Sequence, residues 1–499
     1  MRPIGVCVAL LSLAVGSPAF AFPGVASPPV PARDQQDQQA PPASDAEASV
    51  AAALQTMGRT IERQQQLLEE QGRQIEQLRS EIAAMRGAAA PAAAPAAVAR
   101  TSEPAAPSPV AAAGQAASAN DRRAQRDPEL PPDLISAAEF PGSFAIPGSD
   151  AALKIGGLVR VNWVTTYDAM LVDDRFQASA IPMPGTPDAN RGGRVNVIAS
   201  PSRFNFDLRT PTGVGHMRAF IEGDFAGSGN ALRLRHAYGQ WRRAIFGQTW
   251  STFSDPEAEP DGIDFEGLNA IVLFRQPQIR WSFAPGERFR VAFALEDPKP
   301  DVTGATGVNQ IPDVVARVRW EPKVGGHIQF STLARQLRAE GGDTAGEIVA
   351  TGAVGISVSG RLPFPFTGKR DQVLFQHNSG HGIGRYISDL GSLGGQDGVF
   401  DPTANSLRAL DVFSGYGGFE HWWTDKLRSA FSFGIVGVSN LDIQPDDALH
   451  LTRRSTVNFM WSPIERLDLV TEFLWGRRVN RNGQSGFAAQ TQIGSTFRF

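Results

Sequence analysis

Apolar and polar residues alternate along most of the chain after about residue 140. The final stretch, "GFAAQTQIGSTFRF", places Ile493, Phe497 and Phe499 on one face, and its other face is more polar and contains Gln490 and Gln492. The stretch "LKIGGLVRVNWV", which begins at Leu153, repeats the pattern with valines opposite arginine and asparagine. A period of two residues predicts β-strands with one apolar face and one wet face.

The alternating segments are numerous and unusually long. About sixteen of them are present, near residues 152–166, 195–210, 214–226, 230–241, 243–251, 276–284, 287–296, 313–321, 326–337, 346–362, 370–379, 406–423, 426–438, 449–462, 466–478 and 486–499. Short turns such as "PGE" and "WTDK" follow the even-numbered segments. Longer loops follow the odd-numbered ones, including residues 168–193, 252–275 and 380–405.

A soluble antiparallel sandwich also alternates, but its second apolar sheet would have to cover the first. Here arginine recurs on the polar face, which suits water, and many segments are long enough to cross a bilayer at a tilt. The alternation of short turns and long loops is typical of outer-membrane barrels. We therefore predict an all-β transmembrane barrel of about 16 antiparallel strands over residues 140–499. An even strand number places both barrel ends on the periplasmic side.

The N-terminal 139 residues differ in composition from the rest. Residues 1–21 combine Arg2, a short apolar core and the small-residue site "AFA", which predicts a secretory signal peptide and export. Its removal would take away Cys7, the single cysteine, so we expect no disulfide and no thiolate metal site. Residues 22–49 are rich in Pro, Ala and Gln and are expected to be disordered.

Residues 50–86 carry a heptad repeat, with Leu54, Ile61, Leu68, Ile75 and Ile82 at one core position. The spacing predicts a periplasmic coiled coil and hence an oligomer. A single amphipathic helix packed on its own domain is the alternative. Residues 87–139 are rich in Ala and Pro, which predicts a semi-stiff linker.

The polar face of the barrel segments is basic, although the whole chain has a formal net charge of -4 and nothing in it suggests nucleic-acid binding. Eleven arginines are assigned to the lumen: Arg160, Arg203, Arg209, Arg218, Arg233, Arg235, Arg280, Arg288, Arg290, Arg317 and Arg319. Guanidinium groups bind carboxylates and stay charged when partly desolvated, so such a lumen favours anions. Alternatively, part of the set pairs with wall carboxylates and holds the shape of the barrel.

The loop after the fifth segment is strongly acidic. It contains Asp255, Glu257, Glu259, Asp261, Asp264 and Glu266. If this loop folds into the lumen, its carboxylates face the arginine wall and form a narrow polar eyelet. The alternative is an ordinary solvated loop, which could bind a divalent cation.

Several stretches resemble a known family. "FPGSFAIPGSDAALKIGGLVRVNWV", "RLRHAYGQW", "FGQTWSTFSDPEAEPDGIDFEG" and "RQPQIRWSF" are similar to the DcaP-like trimeric outer-membrane porins, most specifically from Arg233 to Phe283. The resemblance implies a homotrimer of sixteen-stranded porins with a periplasmic coiled-coil extension. It also implies a preference for small anionic solutes such as dicarboxylates, and its inward arginines match Arg233, Arg235 and Arg280 best.

The terminal Phe499 resembles the C-terminal signature that the barrel assembly machinery reads. Alternatively, it packs among the aromatic residues at the membrane interface. The sequence has no phosphate-binding glycine loop and no Gly-x-Ser-x-Gly elbow, and we find no convincing nucleophile and base pair. We therefore expect no enzyme activity, no cofactor and no metal.

The expected function is passive diffusion of small hydrophilic, preferentially anionic solutes across the outer membrane of a Gram-negative bacterium. The expected partners are two further copies of the chain, outer-membrane lipid and the barrel assembly machinery. One alternative is a structural protein that ties the membrane to the cell wall through the coiled coil. Another is a less selective or sugar-type channel.

Overall fold

The computed structural model describes residues 140–341, 347–368 and 370–499. The predicted signal peptide, coiled coil and linker lie outside these residues. The described part forms a barrel of sixteen antiparallel strands. They are β1 Ala152–Thr166, β2 Arg194–Ile198 continued by Arg203–Thr212, β3 Gly215–Asp224, β4 Arg233–Trp241, β5 Ala244–Trp250, β6 Arg275–Phe283, β7 Phe289–Glu296, β8 Asp313–Trp320, β9 His327–Glu340, β10 Ile348–Pro363, β11 Gln372–His381, β12 Asp411–Trp422, β13 Leu427–Ser439, β14 Leu449–Ile464, β15 Leu467–Asn480 and β16 Ser485–Arg498.

The barrel closes through β1. On one edge β1 pairs with β16, in register from Leu158↔Arg498 to Thr166↔Gln490. On its other edge β1 pairs with both parts of β2. Closure leaves the sheet without a free edge, which is the condition for placing strands in hydrocarbon. The predicted strand number and the predicted segments are confirmed, except that the twelfth strand begins at Asp411 and not near residue 406, because Ser406–Ala409 pairs with Gly398–Asp401 inside L6.

Connections at the two ends of the barrel differ in length. At one end, the short-turn end, two-residue turns occupy positions 213–214, 242–243 and 465–466. At the other, the long-loop end, the main loops are L1 (167–193), L3 (251–274), L4 (297–312), L6 (382–410) and L7 (440–448). This asymmetry agrees with the sequence prediction.

The loops carry the remaining regular structure. The short helix α1, Ser388–Leu393, lies in L6. Single 3-10 turns lie at Ala178–Ala180, Pro187–Asn190, Ser228–Asn230, Pro256–Ala258 and Gly384–Tyr386. Short strands Val302–Thr303, Gly398–Asp401 and Ser406–Ala409 form a small sheet between L4 and L6. Phe144–Ala145 extends the sheet beside β1, and Thr306–Gly307 does so beside β9. No helix in the described ranges is long and apolar enough to cross a bilayer.

The exposure pattern is the reverse of that of a water-soluble protein. Outward side chains such as Val159, Trp163 and Ile493 are about half exposed, whereas the inward Asn162 and Gln492 are fully buried. A soluble fold would bury the first set and hydrate the second. The outer face therefore suits contact with lipid.

The inward face is not polar throughout. L3 and L6 form an apolar cluster inside the barrel, in which Phe253, Ile271 and Leu390 are fully buried. The cluster packs on inward apolar residues of β8 and β9, Val315 and Leu333, and of neighbouring strands. It fills that side of the barrel and leaves the open space near β1, β2, β4 and β13–β16.

Substituting the outward Ile493 with arginine tests the lipid face. Ile493→Arg places a charge near the centre of β16, where transfer into hydrocarbon is expected to cost ~2–4 kcal/mol. The free energy of unfolding from lipid vesicles, measured by urea titration, should fall by that amount. Ile311→Arg, an identical change at an exposed position in L4, should have little effect. Equal losses for both variants would contradict a lipid-facing Ile493.

Candidate functional site

Loop L3 leaves β5, runs through the barrel interior and returns to β6. Its first residues are fixed by Glu296 of β7, which accepts hydrogen bonds from Ser251 Oγ (2.6 Å) and from the Thr252 N–H (2.7 Å). The Ser251 N–H also donates to the Phe274 carbonyl at 2.8 Å, so the two ends of the loop are tied together. These hydrogen bonds hold the two ends of L3 together where the loop leaves the barrel wall.

Two acidic residues near the start of L3 bind the barrel wall. The carboxylate of Asp255 lies 2.8 Å from His327 Nε2 and accepts a 2.6 Å hydrogen bond from Ser359 Oγ. Burial alone would raise the pKa of Asp255, but His327, Arg319 and the Ser359 hydroxyl together hold that pKa below its usual value. Glu257 accepts a 2.8 Å bond from Arg319 of β8.

The middle of L3 is fixed by wall carboxylates that accept its backbone amides. Glu420 of β12 accepts the Asp261 N–H at 2.7 Å. Glu472 of β15 accepts the N–H groups of Ile263 (2.6 Å) and Asp264 (3.1 Å). These charge-assisted bonds satisfy backbone donors that the lumen would otherwise leave unpaired.

The loop carboxylates in turn bind arginines of the wall. Arg428 of β13 donates to Asp261 at 2.8 Å, and Arg454 of β14 donates to Asp264 at 2.9 Å. The acidic loop therefore pairs with arginines of β8, β13 and β14. The arginines of β2 and β4 line another part of the open space, where the Arg233 guanidinium lies 5.3 Å from the ring centre of Phe265 in L3.

The arginines of β4 face the cavity, and the carboxylates that bind them lie behind them. Arg235 binds Glu222 (2.7 Å) and Asp224 (2.9 Å), and Arg233 binds Asp224 (2.7 Å). The side chains of Glu222 and Asp224 have 0% exposure, whereas that of Arg233 is 36% exposed. The surface that meets the open space is therefore positive.

A cavity of about 370 Å³ lies between L3 and the inward faces of several strands, and we call it the eyelet cavity. Ten arginines and six acidic residues line it. They are Arg160, Arg175, Arg203, Arg233, Arg235, Arg275, Arg385, Arg428, Arg454 and Arg498, with Glu259, Asp261, Asp264, Glu266, Asp468 and Glu472.

Only four of the eleven arginines assigned to the lumen line this cavity: Arg160, Arg203, Arg233 and Arg235. Arg209 and Arg218 both bind Asp207, at 3.0 and 2.8 Å. Arg290 lies near the short-turn end and pairs with Glu321 at 3.4 Å, and Arg288 is exposed in the adjacent turn.

Three further arginines are buried and lie outside the eyelet cavity lining. Arg280 has no exposed surface, and it donates to the Trp250 carbonyl and, at 2.9 Å, to Gln278 Oε1 near the ends of L3. Arg317 and Arg319 are each 2% exposed, and Arg319 binds Glu257 of the loop. The expectation that Arg280 contacts solute is corrected on this ground.

Four of the six loop acids line the cavity: Glu259, Asp261, Asp264 and Glu266. Asp255 and Glu257 are held in ion pairs nearer the loop base. Removal from bulk water, opposed by Arg454 and aided by the nearby carboxylates of Asp261, Asp264 and Glu472, raises the pKa of Glu259 to about 7.

Six arginines of the lining were not predicted. Arg428, Arg454 and Arg498 follow the same alternation as the predicted set, and Arg498 lies between the outward Phe497 and Phe499. Applying the same alternation of inward and outward residues to β13, β14 and β16 would have identified these three arginines. Arg175 and Arg385 lie in L1 and L6, where strand periodicity has no meaning, and Arg275 is the first residue of β6.

Comparison with known proteins agrees with the fold. A family model described as "DcaP outer membrane protein" matches residues 142–495. The fold is similar to the crystal structure of the outer membrane channel DcaP of Acinetobacter baumannii, with a TM-score of 0.63 and 20% identity, over 72% of this chain and 100% of that one. An anion-selective porin from Comamonas acidovorans aligns with a TM-score of 0.48 and 11% identity, over 70% of this chain and 100% of that chain. No curated protein sequence matches the chain.

Removing the Glu472 carboxylate should loosen L3. Glu472→Ala deletes the acceptor of two backbone amides, and hydrogen bonds to charged groups contribute ~1.5–3 kcal/mol each. We expect faster protease cleavage within residues 251–274 of the purified protein, while the barrel stays intact. Glu287→Ala, in the exposed turn 284–288, is the control and should leave cleavage unchanged. An unaltered cleavage rate in Glu472→Ala would contradict the proposed anchor.

Proposed function

The chain belongs to the DcaP outer-membrane protein family, and on that premise we propose that it is a porin for passive diffusion of small hydrophilic solutes with a preference for anions. The observation that carries this proposal is the arrangement of charge around the eyelet cavity. Arginines outnumber carboxylates in its lining, and Glu222 and Asp224 lie behind Arg233 and Arg235. A solute in the cavity therefore meets guanidinium groups first, which lowers the energy of an anion there.

Dicarboxylates are the solute class that we propose. Arginines of different strands line the cavity, and Arg233 of β4, Arg428 of β13 and Arg498 of β16 keep exposed surface. A short dicarboxylate can therefore pair with guanidinium groups at both of its ends, whereas a neutral sugar gains no such pairing. Ion pairs with Asp261 and Asp468 weaken Arg428 and Arg498 as partners and keep the solute mobile.

We also propose a homotrimer. β5 has only seven residues and β4, β6, β7 and β8 have eight or nine. A seven-residue strand advances ~23 Å along its axis and less when tilted, whereas the apolar band of an outer-membrane barrel is ~25 Å tall. This low part of the wall fits contact with neighbouring copies better than contact with lipid. The predicted coiled coil would support the same assembly.

The proposed orientation places the long loops outside the cell and both chain ends in the periplasm. From there the predicted coiled coil could reach the cell wall. Phe499 follows directly after β16, is half exposed and donates its N–H to the Gly157 carbonyl at 3.1 Å. We propose that this exposed end of the closing strand is what the barrel assembly machinery binds.

Anion preference is tested by the reversal potential in a planar bilayer under a tenfold KCl gradient. In Arg233→Gln one exposed cation is lost and Asp224 keeps its bond to Arg235, so the anion-to-cation permeability ratio should fall about two- to fivefold. Arg288→Gln, at the exposed short turn, should leave the ratio near that of the wild type. A cation-selective wild-type channel, or an unchanged ratio in Arg233→Gln, would reject the proposal.

Liposome swelling separates the dicarboxylate channel from a sugar channel. Succinate should enter faster than an uncharged sugar of similar size, because only succinate pairs with guanidinium groups at both of its ends. The difference should shrink in Arg233→Gln. Equal entry of both solutes into wild-type vesicles would favour the less selective channel.

The raised pKa of Glu259 predicts a pH dependence between pH 6 and pH 8. Below about pH 7 the Glu259 carboxyl is neutral and above it is charged, so lowering the pH should increase anion preference. The permeability ratio should therefore rise from pH 8 to pH 6 in the wild type. Glu259→Gln should show the low-pH ratio throughout. A persistent pH step in Glu259→Gln would assign the titration to another group.

A further inference from the structure

A second cavity lies at the long-loop end of the barrel, and we call it the mouth pocket. It has a volume of about 690 Å³ and is formed by L4, L6 and L7 together with the end of β15. Helix α1 separates it from the eyelet cavity, since Ser388 and Ser392 line the eyelet cavity and Leu393 lines the mouth pocket. The two cavities are therefore distinct and adjacent.

One side of the mouth pocket is apolar. The contributing side chains are Leu393, Val399, Phe400, Ile443 and Leu449. Leu393 and Ile443 are large hydrophobic residues left more than one-third exposed, whereas Val399 and Phe400 form a buried floor. Exposed apolar side chains around a concave surface are typical of ligand sites, which usually measure 300–1,000 Å³.

Arg478 supplies the polar side of the mouth pocket. It shares the inward parity of Asp468 and Glu472 on β15. Its guanidinium donates to Asn480 Oδ1 (2.9 Å), to the Ser179 carbonyl (2.6 Å) and, more weakly, to the Asp447 carbonyl (3.5 Å). All three acceptors are neutral.

Arg478 therefore differs from Arg428 and Arg454 of the eyelet cavity. Arg428 and Arg454 each bind a carboxylate, whereas in the described ranges no carboxylate oxygen lies within 4.0 Å of an Arg478 nitrogen. The nearby Asp447 lines the pocket and accepts a hydrogen bond from Arg478 through its backbone carbonyl, while the carboxylates of Asp389 and Asp447 attract Arg478 from a longer distance. The pocket thus holds an oriented cation that makes no direct ion pair in the described part of the chain.

We propose that the mouth pocket binds amphipathic monocarboxylates, in which one carboxylate is attached to an aromatic or branched aliphatic body. The carboxylate would pair with Arg478, and the body would contact Leu393, Phe400 and Ile443. A dicarboxylate fits less well because its second charge would lose hydration against the apolar side. The site concentrates such anions at the channel mouth, one helix away from the eyelet cavity.

Benzoate is a suitable probe, and the full chain in detergent is the suitable protein. Binding measured by titration calorimetry should be about tenfold weaker in Arg478→Gln, because a charge-assisted pair is lost while the glutamine can still donate to Ser179. Arg477→Gln is the matched control, since Arg477 is the exposed neighbour on the outward face and should keep wild-type affinity.

A second variant tests the apolar half. Ile443→Ser should weaken benzoate binding and leave the weaker binding of succinate unchanged. Benzoate affinity that is retained in Arg478→Gln but lost in Arg233→Gln would place the ligand in the eyelet cavity and overturn the proposal. Absence of benzoate binding to the wild type, or equal loss of benzoate and succinate in Ile443→Ser, would overturn it as well.

Discussion

Backbone hydrogen bonding in hydrocarbon is the constraint on which the rest of this structure depends. No water is available there, so each strand needs a partner on both edges and the sheet must close. β1 meets this condition by pairing with β16 on one edge and both parts of β2 on the other. Closure then dictates the side-chain pattern, because alternate residues must face lipid on one side and the lumen on the other.

A closed ring of sixteen strands leaves a lumen that the protein narrows from within. L3 and L6 bring their own apolar cluster, which packs on the inward valines and leucines of β8, β9, β12 and β13. The polar part of L3 is held by carboxylates on both partners, since Glu420 and Glu472 accept loop amides while Asp261 and Asp264 accept wall arginines. These contacts in both directions hold the loop in place. The space that remains is lined by Arg203, Arg233 and Arg235 and is therefore positive.

Alternation along the chain predicted the barrel, its strand positions and the uneven loops, because face and period are local properties. It did not predict which inward arginines line the cavity, since the alternation of residues does not show which inward side chains other parts of the chain bury. Arg233 and Arg280 share the inward face, yet one lines the cavity and the other donates to the Trp250 carbonyl. Arg175 and Arg385 depend on loop folding. The signal peptide and coiled coil stay predictions, outside the described residues.

The central claim, that L3 lies across the lumen against β13 and β14, is tested most directly by a cysteine pair. A Cβ placed on Gly434 of β13 would lie 3.3 Å from that of Ala270 in L3, close to the Cβ separation of a disulfide. The same Cβ would clash with Asn269 Oδ1, so Asn269 is replaced by alanine in this test. In a chain with Cys7 replaced by serine and Asn269 by alanine, Ala270→Cys and Gly434→Cys should cross-link under mild oxidation with single-channel conductance unchanged. Two free thiols that react with a bulky maleimide added from the long-loop side would contradict an inward L3.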